Sequence, residues 1–364
     1  MTTYSAFQKF KRNKLAMAGC AFTFLLLVVM LGGCWLRPDS TQYANNQHLV
    51  LSTLKPGNVV QFIRFKSEVV SSGNFFTEWI QGGAPLGYEE IPVRSVHLKD
   101  GDILWVDAYD MSWQEKFAKG VSTKTLLRSN DSGTEADFIF TRRFLLGTDK
   151  YGRDVLSRLM AGTSVSLMVG MIAVLISLLI GVTVGLIAGY YRGWVDAILM
   201  WLTNVIWAIP TLILVMAITF SLGSGLAVVF IAVGLTMWVD VARLVRGQVL
   251  SVREKEFIEA ARAVGNSDFR ILFHHILPNI ISPVIVLAAS NFASAILVEA
   301  GLSFLGLGAQ IPQPSWGNMI REHYSFLTTD LAYLAFAPGV LMMLLVLSFM
   351  LIGNGLRDAL DVRT

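Results

Sequence analysis

The chain has 364 residues, of which 54% are hydrophobic and only 15% are charged, and its net charge is +3. Soluble globular proteins carry about 25% charged residues, so this composition indicates a protein that folds in lipid. The small net charge lacks the basic excess of a nucleic-acid-binding protein. The two cysteines, Cys20 and Cys34, have neither the spacing of metal ligands nor that of a disulfide framework.

The first predicted element is a membrane-spanning helix over Leu15–Leu36, an apolar run that is long enough to cross a bilayer. The string LGGC that ends at Cys34 resembles a lipoprotein cleavage box, and cleavage there would remove this helix. A retained anchor is favoured because the run exceeds the roughly 7–15 residues of a signal-peptide core. By the positive-inside rule, four basic residues place the N-terminus in the cytoplasm: Lys9, Lys11, Arg12 and Lys14.

Residues 37–144 form a distinct region that mixes charged, aromatic and turn-forming residues and contains no run long enough to span a membrane. Turn-prone pieces separate short stretches that are rich in β-branched and aromatic residues. We predict a small, mainly β, extracytoplasmic insert, and a poorly ordered long loop is the alternative. The predicted strands lie in Val59–Phe65, Pro92–Leu98 and Asp102–Tyr109.

Residues 145–364 are predicted to form a transmembrane domain of five further helices. With the first helix of residues 1–36, the expected fold is an all-α polytopic membrane protein of six transmembrane helices, with the insert between helices 1 and 2. Basic residues concentrate in the short loops expected in the cytoplasm, which places both termini there. The predicted spans are Leu159–Tyr191, Ala197–Leu222, Leu226–Val245, Ile280–Leu307 and Leu331–Ile352.

Glycines at four-residue spacing mark one face of the second predicted span, at Gly181, Gly185 and Gly189. Small residues at this spacing let another helix approach closely. We expect this face to pack inside the bundle, and a seam between two copies of the chain is the alternative.

The polar segment between the fourth and fifth predicted spans, at about residues 250–279, is predicted to form two short helices outside the lipid. Gly265 can adopt the left-handed conformation that ends the first helix. Asn266 or Ser267 can cap the second, which Pro278 is expected to end before the next span. Because such an element is tethered to two spans, it could pass a push from a cytoplasmic partner into the membrane.

This segment resembles the EAA loop of ABC importer permeases, through Glu259-Ala260-Ala261, Gly265 and Ile276-Leu277-Pro278. The resemblance implies a coupling helix that docks on an ATP-binding subunit: Ala260 and Ala261 would allow close approach, Gly265 would make the turn and Glu259 would offer a charge. An ordinary amphipathic interfacial helix is the alternative.

Two further strings resemble the second of the paired permeases in the dipeptide/oligopeptide/nickel transport family. One is LGTDxxGRDVLSR, which starts at Leu146, and the other is EAGLSFLGLG, which starts at Glu299 and is followed by PxPSWG. The resemblance covers about residues 7–36 and 140–360 and implies a type I importer fold. The long insert departs from the short connection expected in that family.

Polar residues in or beside the predicted spans are candidates for a solute pathway or gate. Glu299 either lines the pathway or makes a structural hydrogen bond near the outer interface. Asn291 is more typical of contacts between helices than of a ligand. Arg153 and Asp154 either form a polar gate edge or anchor the helix that follows them.

No phosphate-binding GxxxxGK[ST] motif, GxSxG elbow or HExxH motif occurs. Together with the resemblance, which implies a permease subunit, these absences predict a protein without enzymatic activity. The resemblance implies that ATP and Mg belong to two partner ATP-binding subunits, with no cofactor or metal on this chain. It also implies a second homologous permease, an extracytoplasmic binding protein, surrounding lipid and a bacterial cytoplasmic membrane. An intramembrane enzyme, a receptor and an ion-gradient-driven transporter are the competing functions.

Overall fold

Long apolar helices dominate the computed structural model, which describes residues 3–66, 83, 88–99, 103–119, 121–122, 139–223 and 225–360. A π-helical turn over Ile271–Ile276 joins two of them without a break. In chain order the helices are α1 (Thr3–Arg12), α2 (Lys14–Gly32), α3 (Met111–Ala118), α4 (Val155–Tyr191), α5 (Gly193–Trp207), α6 (Thr211–Leu222), α7 (Leu226–Arg253), α8 (Glu256–Ala263), α9 (Asp268–Arg270), α10 (Leu277–Phe304), α11 (Trp316–His323) and α12 (Tyr333–Leu360).

Within these residues, five helices are long and apolar enough to cross a membrane: α2, α4, α7, α12 and the continuous helix Asp268–Phe304 that contains α9 and α10. The pair α5–α6 brings the number to six if it counts as one span. The first span begins within one residue of its predicted start. The helix is interrupted at Asn13, whose side chain caps α2 by accepting a hydrogen bond from the N–H of Ala16 at 3.1 Å. The span ends at Gly32, before the Leu36 end predicted for it. The Cys34 side chain lies outside the described residues.

The prediction of one continuous helix over Ala197–Leu222 is wrong. The chain forms α5 and α6, which meet at an angle of 90° between Trp207 and Thr211. Pro210 lies at this break, where it has no N–H to donate and disfavours helical geometry at Ile209. Both halves stay apolar, so hydropathy alone does not reveal the bend.

The glycine face of α4 packs against α7 in the same chain, as the sequence analysis expects. A Cβ built on Gly181 would lie 2.5 Å from the Cβ of Val241, and one on Gly185 would lie 2.6 Å from the carbonyl oxygen of Ala242. Gly189 repeats this contact against Val249. Because no side chain fits between the two backbones, α4 and α7 form a tightly joined pair.

The described part of the insert contains a five-stranded antiparallel sheet in the order β4-β3-β2-β1-β5. Its inner strands pair Ile63 with Ile91 and Val93 with Ala108. Trp113 of α3 packs against the apolar cluster on one face of the sheet. The strands are β1 (Val59–Lys66), β2 (Tyr88–Lys99), β3 (Ile103–Ala108), β4 (Val121–Ser122) and β5 (Ile139–Arg143).

Residues 37–58 and 144–154 form the joint between this sheet and the helical bundle, and several of their polar side chains are buried. The N–H of Leu54 donates to the hydroxyl of Thr148 at 2.8 Å, and that hydroxyl donates to the carbonyl of Leu51. Gly152 has a φ of 73°, and a Cβ there would lie 1.8 Å from the carbonyl oxygen of His48. The end of the bundle nearest this joint is the insert end, and the end that carries residues 254–276 is the loop end.

A buried carboxylate links the sheet to the joint. Glu90 of β2 accepts a hydrogen bond from the Asn46 amide at 2.9 Å and forms an ion pair with Arg142 of β5 at 2.9 Å. His48 lies beside this pair, and burial together with the charge of Arg142 lowers its pKa to about 4. The imidazole is therefore neutral at pH 7, and the positive charges beside Glu90 are those of Arg142 and of Arg64, which lies 3.5 Å from it.

Candidate functional site

The loop segment, residues 254–276, connects α7 to α10 at the loop end of the bundle. Its first helix, α8, ends in a Schellman motif: the N–H of Gly265 donates to the carbonyl of Arg262 at 2.9 Å, and the N–H of Asn266 donates to that of Ala261 at 3.1 Å. Gly265 has a φ of 84°, which confirms the predicted left-handed conformation. The motif ends α8 and changes the direction of the chain within a few residues, before the next helix starts at Asp268.

The loop segment is amphipathic, and its inner face belongs to the core of the bundle. This face packs against the ends of α4 and α7, where Leu186, Val245 and Val249 are buried. The segment is therefore not a free loop, because it extends the apolar core beyond the spans. The buried residues of the inner face are Ile258, Ala261, Ile271, Leu272 and Ile276.

Four large apolar side chains project from the outer face of the same segment. Val264 is 84% exposed and Phe269 is 67% exposed. Phe269 and Phe273 lie one helical turn apart, with ring centroids separated by 4.5 Å. Phe257 is also exposed. We call these four residues the apolar patch; they share one short segment with exposed charged residues, and exposed apolar groups set among charged ones are typical of protein interfaces.

The predicted coupling residues divide between the two faces. Glu259, Ala260 and Gly265 are exposed beside the apolar patch, whereas Ala261 and Ile276 are buried in the bundle core and Leu277 is half-buried. Ala261 therefore contacts its own chain and is unavailable to a partner. The apolar patch was not predicted, although its signal is present in the sequence as four large apolar side chains in a short segment rich in charged residues.

The expectation that Pro278 ends a helix is wrong. The helix that begins at Asp268 passes through the π-helical turn and continues to Phe304, and Pro278 lies in the first turn of α10. Proline is tolerated there because the wider π-helical turn changes which N–H groups need partners. Ser267, one of the two predicted caps, is the N-cap residue, although its side chain makes no capping hydrogen bond.

At the insert end, Arg153 is buried and bridges two carboxylates. Its guanidinium donates to Asp149 at 2.6 Å and to Glu322, just before the end of α11, at 2.7 Å. Asp154 caps α4 by accepting from the N–H of Ser157 at 2.8 Å, and burial raises the pKa of Asp154. These contacts support helix anchoring, the alternative to a gate edge for both residues.

Asp149, Glu322 and His323 have ligand atoms within 4.8 Å of one another, which is close enough to hold a metal ion. Arg153 already donates to both carboxylates, and Arg158 lies 4.0 Å from Asp149. Two guanidinium groups supply the positive charge that a cation would bring. The cluster is therefore satisfied electrostatically by arginine.

Glu299 is fully buried at the end of α10. The hydroxyl of Ser303 donates to its carboxyl group at 2.5 Å, and the hydroxyl of Ser315, which caps α11, donates to Ser303 at 3.1 Å. This chain of hydrogen bonds ties α10 to α11 and supports the structural role among the two that the sequence left open. Asn291 is also buried, two turns earlier in α10.

Two families match the sequence over most of the helical bundle. The family described as "Binding-protein-dependent transport system inner membrane component" matches residues 181–364. The family described as "N-terminal TM domain of oligopeptide transport permease C" matches residues 3–56, which include α1, α2 and most of residues 37–58 in the joint. Neither range includes the five-stranded sheet.

Known proteins similar to this chain are permease proteins of two transport systems. The dipeptide transport system permease protein DppC of Alkalihalophilus pseudofirmus is 46% identical over 215 residues, which are 59% of this chain and 70% of that protein. The glutathione transport system permease protein GsiD of Pectobacterium atrosepticum is 44% identical over 216 residues, 59% of this chain and 71% of that protein. Among solved structures, the MetNI methionine ABC transporter in an inward-facing conformation aligns at 19% identity with a TM-score of 0.48, covering 57% of this chain and 97% of that one.

Proposed function

The chain belongs to the family of binding-protein-dependent transport system inner membrane components, and on that premise we propose that its loop segment docks on an ATP-binding subunit through the apolar patch. As a member of this family it is a multi-pass permease subunit of an ABC importer, without enzymatic activity, and ATP hydrolysis takes place on partner subunits. The observation that carries the docking proposal is the exposure of the four patch side chains on a segment whose opposite face is buried in the bundle.

The patch has the properties of a docking surface for a protein. Val264 and Phe269 would be desolvated in a groove of the partner, and desolvated aromatic anchors dominate the energy of such interfaces. Glu259 and Ala260 flank them, so the charge of Glu259 would lie at the rim and Ala260 would permit close approach. These two residues and Gly265 remain our proposed coupling residues.

The connected helix offers a route for movement into the membrane. The continuous helix Asp268–Phe304 has 37 residues, about 55 Å at 1.5 Å per residue. A displacement at Phe269 would therefore be carried to the Glu299 contacts with α11. For ATP to drive transport, the ATP-binding pair must bind the two conformations of the permease with different affinity.

We place six spans in the bacterial cytoplasmic membrane, with α5–α6 counted as one bent span and both termini in the cytoplasm. The basic residues before α2 and in the loop segment support this orientation. The β-rich insert would then lie outside the cytoplasm, above the insert end of the bundle. A second, homologous permease would complete the pathway, and a binding protein would deliver the solute.

Short peptides are the proposed solutes, because the similar proteins are named for dipeptide and glutathione transport. Nickel, which the resemblance also implies, is the alternative. No metal or cofactor is proposed for this chain itself, and ATP with Mg would bind the partner subunits.

Copurification tests the docking proposal. The tagged chain is purified from native membranes in mild detergent, its partners are identified and ATP hydrolysis is assayed. We expect an ATP-binding subunit with the native chain and its loss from a Val264→Asp, Phe269→Asp variant. Met111→Asp is the matched control, since Met111 is 71% exposed on α3 of the insert, far from the loop end.

Two results would contradict the proposal. If the double variant retains the ATP-binding subunit, the apolar patch is not the docking surface. If a well-folded native chain brings no ATP-binding subunit in several detergents, a transporter driven by an ion gradient becomes the better interpretation.

A further inference from the structure

One side chain connects the loop segment to the α4–α7 pair by polar contacts. Tyr190 lies at the end of α4 and is 5% exposed. Its hydroxyl donates a hydrogen bond of 2.6 Å to the carboxylate of Asp268, the first residue of α9. The guanidinium of Arg262, at the end of α8, lies 5.3 Å from the centre of the Tyr190 ring. Tyr190 therefore contacts both helices of the loop segment.

The same residue is held firmly on its other side. Arg253, the last residue of α7, donates to the backbone carbonyl of Tyr190, and its guanidinium lies 5.5 Å from the ring centre. Gly189, the preceding residue, packs against Val249 without space for a side chain. Tyr190 thus moves with the α4–α7 pair.

Among the described residues, the ion pair between the loop segment and the end of α4 is weaker. Arg192 and Glu254 form an ion pair of 2.5 Å, but both side chains are largely in solvent, where such pairs contribute little. The carboxylate of Asp268 is also exposed, but the Tyr190 ring that donates to it is buried and fixed in position, so this charge-assisted contact is stronger than one between two exposed side chains. Apolar packing of Ile258 and Ile271 holds the segment against the bundle but allows small sliding movements, since it has no fixed direction.

We propose that Tyr190 is the positioning residue through which the loop segment moves the α4–α7 pair. The hydrogen bond from the Tyr190 hydroxyl to Asp268 and the contact of its ring with Arg262 make the α4–α7 pair move with the loop segment. Loss of the hydroxyl would therefore uncouple ATP hydrolysis from the conformational change of the bundle. This inference rests on the proposed function, because the force comes from an ATP-binding subunit docked on the apolar patch.

The test measures a movement within the bundle and needs no knowledge of the solute. In the native complex with Cys20 and Cys34 replaced by serine, spin labels are attached at Ile231→Cys on α7 and Phe336→Cys on α12, both exposed positions. The distance between them is measured without nucleotide and after trapping with ATP, Mg and vanadate. ATP hydrolysis is measured on the same samples.

With the native tyrosine, trapping is expected to shift the distance distribution. In Tyr190→Phe, the ATP-binding subunit should still copurify and hydrolyse ATP, while the ratio of shifted to unshifted molecules falls about tenfold, as expected for losing one charge-assisted hydrogen bond. Asp268→Ala should act in the same way, and the double variant should lose no more than either single one. Tyr324→Phe, an exposed tyrosine at the insert end, is the matched control and should behave as the native chain.

Three outcomes would overturn the inference, and they are distinguishable. If Tyr190→Phe shifts as fully as the native chain, the hydroxyl does not transmit movement. If the variant loses the ATP-binding subunit, Tyr190 supports docking and not movement. If the native chain itself carries no ATP-binding subunit, the proposed function is wrong, and the inference is wrong with it.

Discussion

The turn at Gly265 offers a sharp test of how the apolar patch is assembled. A Cβ at Gly265 would meet no atom within 4 Å, so a substitution there changes only the backbone energy of the residue. At a φ of 84° an ordinary L-residue pays about 1–2 kcal/mol. We expect Gly265→Asn to cost least, since asparagine tolerates this conformation, Gly265→Ala more, and the β-branched Gly265→Val most.

The cost should appear in the affinity for the ATP-binding subunit. The turn sets the position of Val264 relative to Phe269. If the substituted residue makes the native turn less favourable by about 1–2 kcal/mol, the affinity for the ATP-binding subunit should fall about 5- to 30-fold. Titration of the purified subunit against each variant in detergent measures the dissociation constant. The unfolding temperature of the bundle should be the same in each variant as in the native chain, because the strained residue is exposed.

Gly247→Ala is the control, since Gly247 lies in regular helix and a Cβ there also meets no atom within 4 Å. If affinity follows side-chain size, with asparagine as harmful as valine, the backbone argument is refuted. An unchanged affinity in all three variants would show that the orientation of the patch does not depend on the turn.

Three further predictions concern the bundle and the insert. Arg153→Met should destabilise the chain by about 3–5 kcal/mol, because two buried carboxylates lose their partner; a thermal unfolding curve like that of the native chain would contradict the ion-pair assignment. Gly185→Val should lower the free energy of unfolding by about 1–3 kcal/mol, because the valine side chain would push α4 away from α7. The control Gly247→Val should change it by less than about 1 kcal/mol, and denaturation in detergent measures both values. The pKa of His48 is about 4 in the folded chain, so the insert should become less stable as pH falls below 6.5. In that range the unfolded chain binds a proton at His48 and the folded chain does not. The free energy of unfolding should fall by about 3 kcal/mol at pH 4. Limited proteolysis across this range should show it, and His48→Gln should remove that part of the pH dependence.

Local features of the chain were predictable because their causes are local. Membrane spans follow from runs of apolar residues, so most of the predicted spans correspond to observed helices. The turn at Gly265 follows from a glycine placed after a good helix-forming stretch, and its positive φ was expected on that ground. The spacing of Gly185 and its neighbours predicted a close helix contact inside the bundle, which α7 provides.

Predictions failed or stayed open where the answer depends on contacts with distant parts of the chain. Pro210 lies where a span bends by 90°, whereas Pro278 lies inside a continuous helix. The same residue type has opposite consequences because a π-helical turn precedes Pro278 and none precedes Pro210 among the described residues. Nothing in the EAA-like string shows that Ala261 faces the core and Val264 faces solvent.

The sequence by itself determined that this is a helical membrane protein and where most of its spans lie, and it indicated the segment that we propose to transmit movement. Only the tertiary structure decided which charges meet, since Arg153 pairs with Glu322 from a helix 169 positions away. It also placed Tyr190 against Asp268 across 78 positions. The physical reason is that hydropathy and turn preference act over a few neighbouring residues, whereas the partner of a buried polar group is set by how whole helices pack.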